Sequence, residues 1–528
     1  MNETTRIRHL GAMTTAGVVL ALTTTACGIA VGDAGPRAPG AEHTMGETHG
    51  QRVAESGAEP AVDPASPRGT EDWRLTRPAD DDQIAAYSTA VSGLPGESLA
   101  LKVSTPADVY RVAVYRIGDY RGGTGHEVAR TRWLDGRVQP GPVMRPAATN
   151  TVMAPWRVDL RIDTDGWEPG MHVVKLVTGK GWETLVPYVV ASPETAGTVV
   201  LVAPVNTWQA YNSWGGYSLY HGPEGATRSY AVSFDRPLHL APGANDFRTA
   251  AIPIVLRAER LGIPLSYLTS GDLHTRPGVL ADAHAVVSMG HDEYWTTTMR
   301  TAVERARARG TNLAVFGANT MYWRVRLEDT ATGSARLMVG YRDAAHLDPM
   351  REIEPAETTA RFRDNPAADP EHALLGMQYE CYPVSSDYVV ASPGWWGFEG
   401  TGVRLGSRIP DLVGPEADRV YPDGRLPRPL QILSDSPYLC GGVTTRTHSV
   451  YFTTRSGAGV FNAGTLRWGC ALVNRCDQPL ERRTSDFTAR VTDNVLRRFA
   501  TGPVGDRWPA RDNVDKFGLS TVNTVSAS

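Results

Sequence analysis

The chain has 528 residues, 41% hydrophobic and 21% charged, with a formal net charge of −4. That length exceeds what one hydrophobic core serves and calls for two or three domains. The charge balance excludes the basic face that nucleic-acid binding needs.

In chain order, the first segment reads as targeting. Arg6, Arg8 and His9 make a basic start, and residues 11–26 are mildly apolar but too short and Thr-rich to span a bilayer. Ala26, Cys27 and Gly28 follow. A small residue before Cys is what a lipoprotein signal peptidase cuts, although Thr24 stands where Leu is usual; a plain secretory signal with an incidental Cys27 is the alternative. Residues 1–27 are therefore expected to be a signal peptide of lipoprotein type, giving an exported protein held on the outer side of the cell membrane by a lipidated Cys27. Residues 28–70 are rich in Gly, Pro, Ala and Glu with almost no large apolar side chains. They bury too little to offset chain entropy and are expected to be a disordered linker.

Residues 72–192 alternate short β-branched runs (SLALKVST, VYRVAVYRIG, WRVDLRID, HVVKLVTG, TLVPYVVA) with Gly/Pro turns, the pattern of an immunoglobulin-like β-sandwich. After Thr198 the pattern changes. TVVLVAP, PLSYLT, AHAVVSMG and NLAVFG read as strands. Residues 246–261, with a kink or late start at Pro253, and residues 294–309, stopped by Gly310, read as helices. Strand and helix in alternation predict an α/β domain with a parallel sheet over residues 197–502. More β-rich segments follow, such as HSVYFTTRSG, then a closing helix near residues 485–500 and a loose tail over 503–528.

Four cysteines remain after Cys27: Cys381, Cys440, Cys470 and Cys476. In an exported chain this even number predicts two disulfides, with three pairings open; Cys470 with Cys476 would close a short loop, and Cys381 with Cys440 would follow. A zinc–thiolate cluster is the alternative, disfavoured by the lack of a C-x-x-C knuckle.

Ligands of an open parallel sheet bind at the carboxyl ends of its strands. Three polar stretches fall there: VNTWQAYNSWGG after VVLVAP, His291, Asp292 and Glu293 after AVVSMG, and Ala318, Asn319 and Thr320 after NLAVFG. If these strands are neighbours, Tyr211, His291, Glu293 and Asn319 converge. His291 and Glu293, two apart in extended backbone, point the same way and suit a first-row metal. Tyr211 is the candidate third ligand. A phenol ionises near pH 10, so it binds at neutral pH only to a strong Lewis acid. Phenolate and carboxylate leave Fe³⁺ with roughly one positive charge and Zn²⁺ with about none, which favours a mononuclear Fe³⁺ centre over Zn²⁺. Each residue also has a structural reading: Tyr211 as a packed aromatic, His291 as a helix cap, Glu293 as a first-turn carboxylate, Asn319 as a left-handed turn residue.

The stretches APVNTWQAYNSWGGYSLY (203–220), GHDEYW (290–295), GANTMYWRVR (317–326), FEGTG (398–402) and VFNAGTLRW (460–468) resemble, in order, the C-terminal region of the N,N-dimethylformamidase large (beta) subunit-like family. The 72–192 segment resembles the sandwich that precedes this region in bacterial relatives. The resemblance implies a class I glutamine amidotransferase-like fold without its nucleophilic Cys. It also implies an iron held by Tyr211, His291 and Glu293, an active-site Asn319, and an acidic residue for proton transfer, for which Glu416 and then Glu399 are candidates. The family's amidase is cytoplasmic and has a separate small subunit that this chain does not encode. The expected function is metal-dependent hydrolysis of an amide C–N bond in a small or envelope-derived substrate; an ester or peptide cross-link is a variant of it. The alternative is a non-catalytic surface protein that binds glycan or peptide through Trp208, Trp214, Trp395 and Trp396. The oligomeric state stays open, a homo-oligomer among the options.

Overall fold

The computed structural model describes residues 67–223, 226–240 and 246–521. The expected signal peptide, Cys27 and the linker up to residue 66 lie outside the described residues. The last linker residues are described and are not free: Arg68 and Thr70 bridge to Arg121 and Gly125. The chain is multidomain and β-rich, with several sheets.

The N-terminal part holds two antiparallel sheets. One contains β1 (Ala85–Ser88), β2 (Leu99–Ser104) and β5 (Leu160–Ile162); the other is built on β3 (Val109–Tyr120), β4 (Gly123–Arg130), β6 (Gly170–Thr178) and β7 (Glu183–Val190). Side chains alternate across a strand. One set, Val112, Val114, Val174, Leu176 and Val186, meets Leu99, Leu101 and Val103 in a shared core. The other set, Tyr115, Ile117, Met171, Val173 and Leu185, joins the core of the next layer. The larger sheet is thus buried on both faces. The expected strand WRVDLRID shrinks to its last residues, Leu160–Ile162.

His172 in β6 is fully buried. Its Nδ1–H donates to the Gly170 carbonyl at 3.0 Å, its ring stacks on Trp167, and Nε2 has no partner. Burial pushes its pKa down to about 3. Only the neutral ring fits, so its stabilising contribution is full above the unfolded value of about 6.5 and is lost as pH falls towards 3. Wild type should lose about 2 kcal/mol more than His172→Phe between pH 6.5 and 5, at roughly 1.4 kcal/mol per pH unit. Denaturant midpoints at both pH values measure this; parallel losses in the two proteins would refute it.

The second layer begins with β8 (Val199–Ala203), α1 (Val205–Tyr211), α2 (Ile252–Arg260), β9 (Leu265–Thr269), β10 (Ala285–Ser288), α3 (Thr297–Ala308) and β11 (Asn312–Val315). It ends with β12 (Leu430–Cys440), β13 (Val443–Thr453), β14 (Gly459–Asn462) and α4 (Arg482–Phe499). The sheet order is β9-β8-β10-β11-β14-β13-β12. The first five strands are parallel and the β12–β13 hairpin is antiparallel. Residues of the parallel strands divide between two cores. Val199, Leu201, Val287 and Ala314 pack with α2 and α4, and Val200, Val202, Val286 and Leu313 pack with α3. Helices therefore cover both faces, as fully apolar parallel strands require.

One helix boundary differs from expectation and another follows it. The helix foreseen from residue 294 starts at Thr297 because Tyr294–Trp295 pairs in parallel with Trp323–Arg324. The Thr296 hydroxyl then caps the helix, accepting the Met299 N–H at 3.1 Å. Pro253 sits in the first turn of α2, the late start, after a π-helical turn at Phe247–Ala251. The segment after α4 is not loose over its described length. Val504 and Val514 are buried, and the Trp508 carbonyl accepts the Tyr451 hydroxyl. Cys381 is bonded to Cys440 and Cys470 to Cys476, so these thiols form disulfides rather than a zinc cluster. No helix among the described residues is long and apolar enough to cross a membrane.

Candidate metal centre

The strands β8, β10 and β11 are adjacent and in register, Val199 beside Ala285 beside Asn312. Their following segments therefore emerge together. Close approach there depends on glycine. A Cβ at Gly317 would lie 2.0 Å from the Gly290 carbonyl oxygen, and Gly290 itself has φ +78°. This lets the 290–293 stretch cross the end of β11.

From β8 the chain turns into α1, which carries Tyr211 at its last position. The Tyr211 hydroxyl donates to Glu293 Oε2 at 2.7 Å. Tyr220, nine residues on, brings a second phenol to the same place. Its oxygen lies 2.8 Å from that of Tyr211 and 2.9 Å from both Glu293 oxygens. Tyr294 in turn donates to Tyr220 at 2.7 Å. His291 Nε2 sits 3.4 Å from Glu293 and 3.4 Å from Glu416. Its Nδ1 is 3.1 Å from Asp246, which orients the ring. Glu416 arrives on a strap beside β14, where its carbonyl accepts the Leu466 N–H. Asn319 is left-handed at φ +57°, its N–H donates to Asp418 at 2.8 Å, and its side chain faces Glu416, whose pKa it lowers.

The five residues singled out from sequence, Tyr211, His291, Glu293, Asn319 and Glu416, thus share one locus. Glu399 does not: it is exposed and paired with Arg498. Trp208, Trp214 and Trp395 are buried packing residues and offer no stacking platform for a sugar. Tyr220, Tyr294, Asp246 and Asp418 were missed. Tyr220 closes the first aromatic block and Tyr294 follows Glu293, so adjacency was a usable signal for both. Asp246 and Asp418 carry no such signal.

The locus is electrostatically demanding. Burial, then Glu293, pushes the phenols of Tyr211 and Tyr220 well above 10. Burial opposes charge on His291, yet Glu416, Asp246 and Glu293 hold its pKa well above 6.5. Burial opposes Glu293 too, but His291 holds it below its usual value. Burial and Glu293 push Glu416 up to about 7.

The donor set is compatible with a metal ion on two grounds. First, donors bound at about 2.0–2.2 Å to a tetrahedral or octahedral ion lie roughly 3–3.5 Å apart, near the 2.7–3.4 Å separations here. Second, His291 Nε2 and Glu416 Oε2 are buried without a well-aligned hydrogen-bond partner. Among the described residues no three His, Cys, Asp or Glu side chains are arranged to hold an ion; an ion here would need the phenols, which select hard, highly charged cations.

Fold and site define an α/β protein with an oxygen-rich polar centre at the carboxyl ends of its parallel strands. The profile of the family described as N,N-dimethylformamidase beta subunit-like, C-terminal, matches residues 111–478. The chain belongs to that family. No curated protein matches it.

Proposed function

We propose that this chain is an exported, metal-dependent hydrolase of amide C–N bonds acting on a small or envelope-derived substrate. The observation that carries the reading is the meeting of Tyr211, Tyr220, His291 and Glu293, drawn from two distant segments, within 3.4 Å steps. Family membership supports a dimethylformamidase-like hydrolase. Tyr211, Tyr220 and Glu293 would hold Fe³⁺, with His291 as a further ligand or as a base beside it. Two phenolates and a carboxylate leave Fe³⁺ neutral and Zn²⁺ with a net negative charge, which favours iron. Such an ion would polarise the amide carbonyl and acidify water.

The protein's own groups have separable tasks. Asp246 fixes the His291 ring so that Nε2 faces the carboxylates. Glu416, poised near neutrality, moves a proton from the attacking water to the leaving amine. Asn319, beside Glu416, would orient the substrate oxygen. The immunoglobulin-type reading of the sandwich and the amidotransferase-type reading of the α/β layer belong to the same proposal. So do the domain limits, lipid attachment through Cys27 and an extracytoplasmic location, to which the two disulfides add support. The family's separate small subunit is not part of it.

Purified wild-type protein should contain about one iron per chain and show a visible phenolate-to-iron absorption band. Tyr211→Phe and Tyr220→Phe should each weaken or remove the band, whereas His291→Gln should keep much of it if His291 acts as base. Elemental analysis and absorption spectra decide this. A colourless, iron-free, folded wild type would count against the reading.

A further inference from the structure

Arg342 has no place in the scheme above, yet it lies against the phenols. Its guanidinium carbon is 3.9 Å from the centre of the Tyr220 ring and 4.8 Å from that of Trp323. The Tyr211 ring stacks on Tyr220 at 4.3 Å with 22° between planes. Both groups cannot occupy one face of Tyr220 at these distances. Tyr211 therefore covers one face and Arg342 the other, giving a column Tyr211–Tyr220–Arg342–Trp323.

Arg342 is held there deliberately. Its backbone is left-handed, φ +58°, an unusual conformation for a non-glycine residue. The backbone N–H donates to the Thr359 carbonyl at 2.9 Å, and Nη1 donates to the Leu219 carbonyl, next to Tyr220, at 2.8 Å. Among the described residues it makes no ion pair with a carboxylate, and its buried Nε has no acceptor. A cation kept so near a buried carboxylate and three phenols, with no carboxylate paired to it among the described residues, is best explained by the charge it faces. Burial opposes the charge on Arg342, and the Glu293 carboxylate favours it.

We infer that Arg342 is a positioning residue for the metal centre: a fixed counter-cation, acting through the face of Tyr220, that stabilises the anionic oxygen set of Tyr211, Tyr220 and Glu293. The inference rests on the metal reading proposed above. The planar guanidinium matters because it can lie flat between two rings, which an ammonium cannot do.

The test compares wild type, Arg342→Met and Arg342→Lys in the full chain. Readouts are iron content after dialysis against graded citrate, the position of the absorption band, and thermal melting of the iron-free proteins. Arg342→Met should hold iron about 10- to 30-fold more weakly and absorb at longer wavelength, because a phenolate without a neighbouring cation gives up an electron more readily. Arg342→Lys should fall between. Equal iron retention and an unshifted band in Arg342→Met, with iron present in wild type, would overturn this inference alone. Iron absent from wild type would instead overturn the metal reading beneath it. A fall in melting temperature that fully accounts for lost iron, with the band unmoved, would reduce Arg342 to packing and also overturn the inference.

Discussion

Replacing Glu416 by Gln should lower kcat for amide hydrolysis by about 10²–10⁴, the usual contribution of a positioned proton carrier, and leave iron content unchanged. N,N-dimethylformamide, the substrate in the family's name, is the first compound to assay, by release of dimethylamine. Gln keeps the size of the side chain, so the variant removes proton transfer and little else. Glu416 stands 3.4 Å from His291 Nε2 and reaches the site on a strap independent of the 205–220 and 290–293 segments. Its pKa near 7 comes first from burial, which lets it accept and return a proton near neutral pH. Loss of iron in step with activity would make Glu416 a ligand instead. Unchanged kcat would remove it from the chemistry.

The second large effect concerns stability. Arg236 is wholly buried, and burial pulls its pKa down to about 9. It is not paired with a carboxylate among the described residues. Its guanidinium instead donates to the carbonyls of Tyr217 at 2.7 Å, Asn212 at 2.8 Å, Trp214 at 3.2 Å and Gln209 at 3.4 Å. Three of these carbonyls line the turn that follows α1, and the fourth, Gln209, also accepts the Asn212 N–H at 3.3 Å. Removing the common donor leaves the other three without it in the buried interior, at roughly 1–3 kcal/mol for each group left unmet. Arg236→Met should therefore destabilise the protein by about 3–5 kcal/mol, since the two shortest bonds dominate. Because the turn also sets the position of Tyr211, iron retention should fall with it. Chemical denaturation of iron-free protein gives the stability term by itself. A loss under about 1 kcal/mol would show that water replaces the guanidinium.

Much of this centre can be read from the chain because its parts follow strands that are largely apolar. Val199–Ala203, Ala285–Ser288 and Asn312–Val315 are short, mostly apolar runs, and each is followed by a polar stretch. Parallel topology then dictates that those stretches share an edge. The disulfides were legible for a similar reason, since few pairings of four cysteines were available. Other features depend on contacts that no local pattern encodes. Tyr220 looks like one aromatic among several until the turn held by Arg236 folds it onto Tyr211. Arg342 lies in an unremarkable stretch, and only the third dimension places it over a ring. The strand at Gly459–Asn462 is too brief, and too close to a Gly-rich turn, to announce itself as a member of the parallel sheet.

That last strand has a consequence for biogenesis. Leu313 of β11 pairs with Val460, and Val460 pairs in turn with Phe452. Until residues near 460 leave the ribosome or the export channel, β11 presents an open, largely apolar edge strand, the kind that recruits other chains. A polypeptide halted near residue 455 should thus clump instead of working at reduced efficiency, and the nascent protein should need a holding chaperone for most of its synthesis.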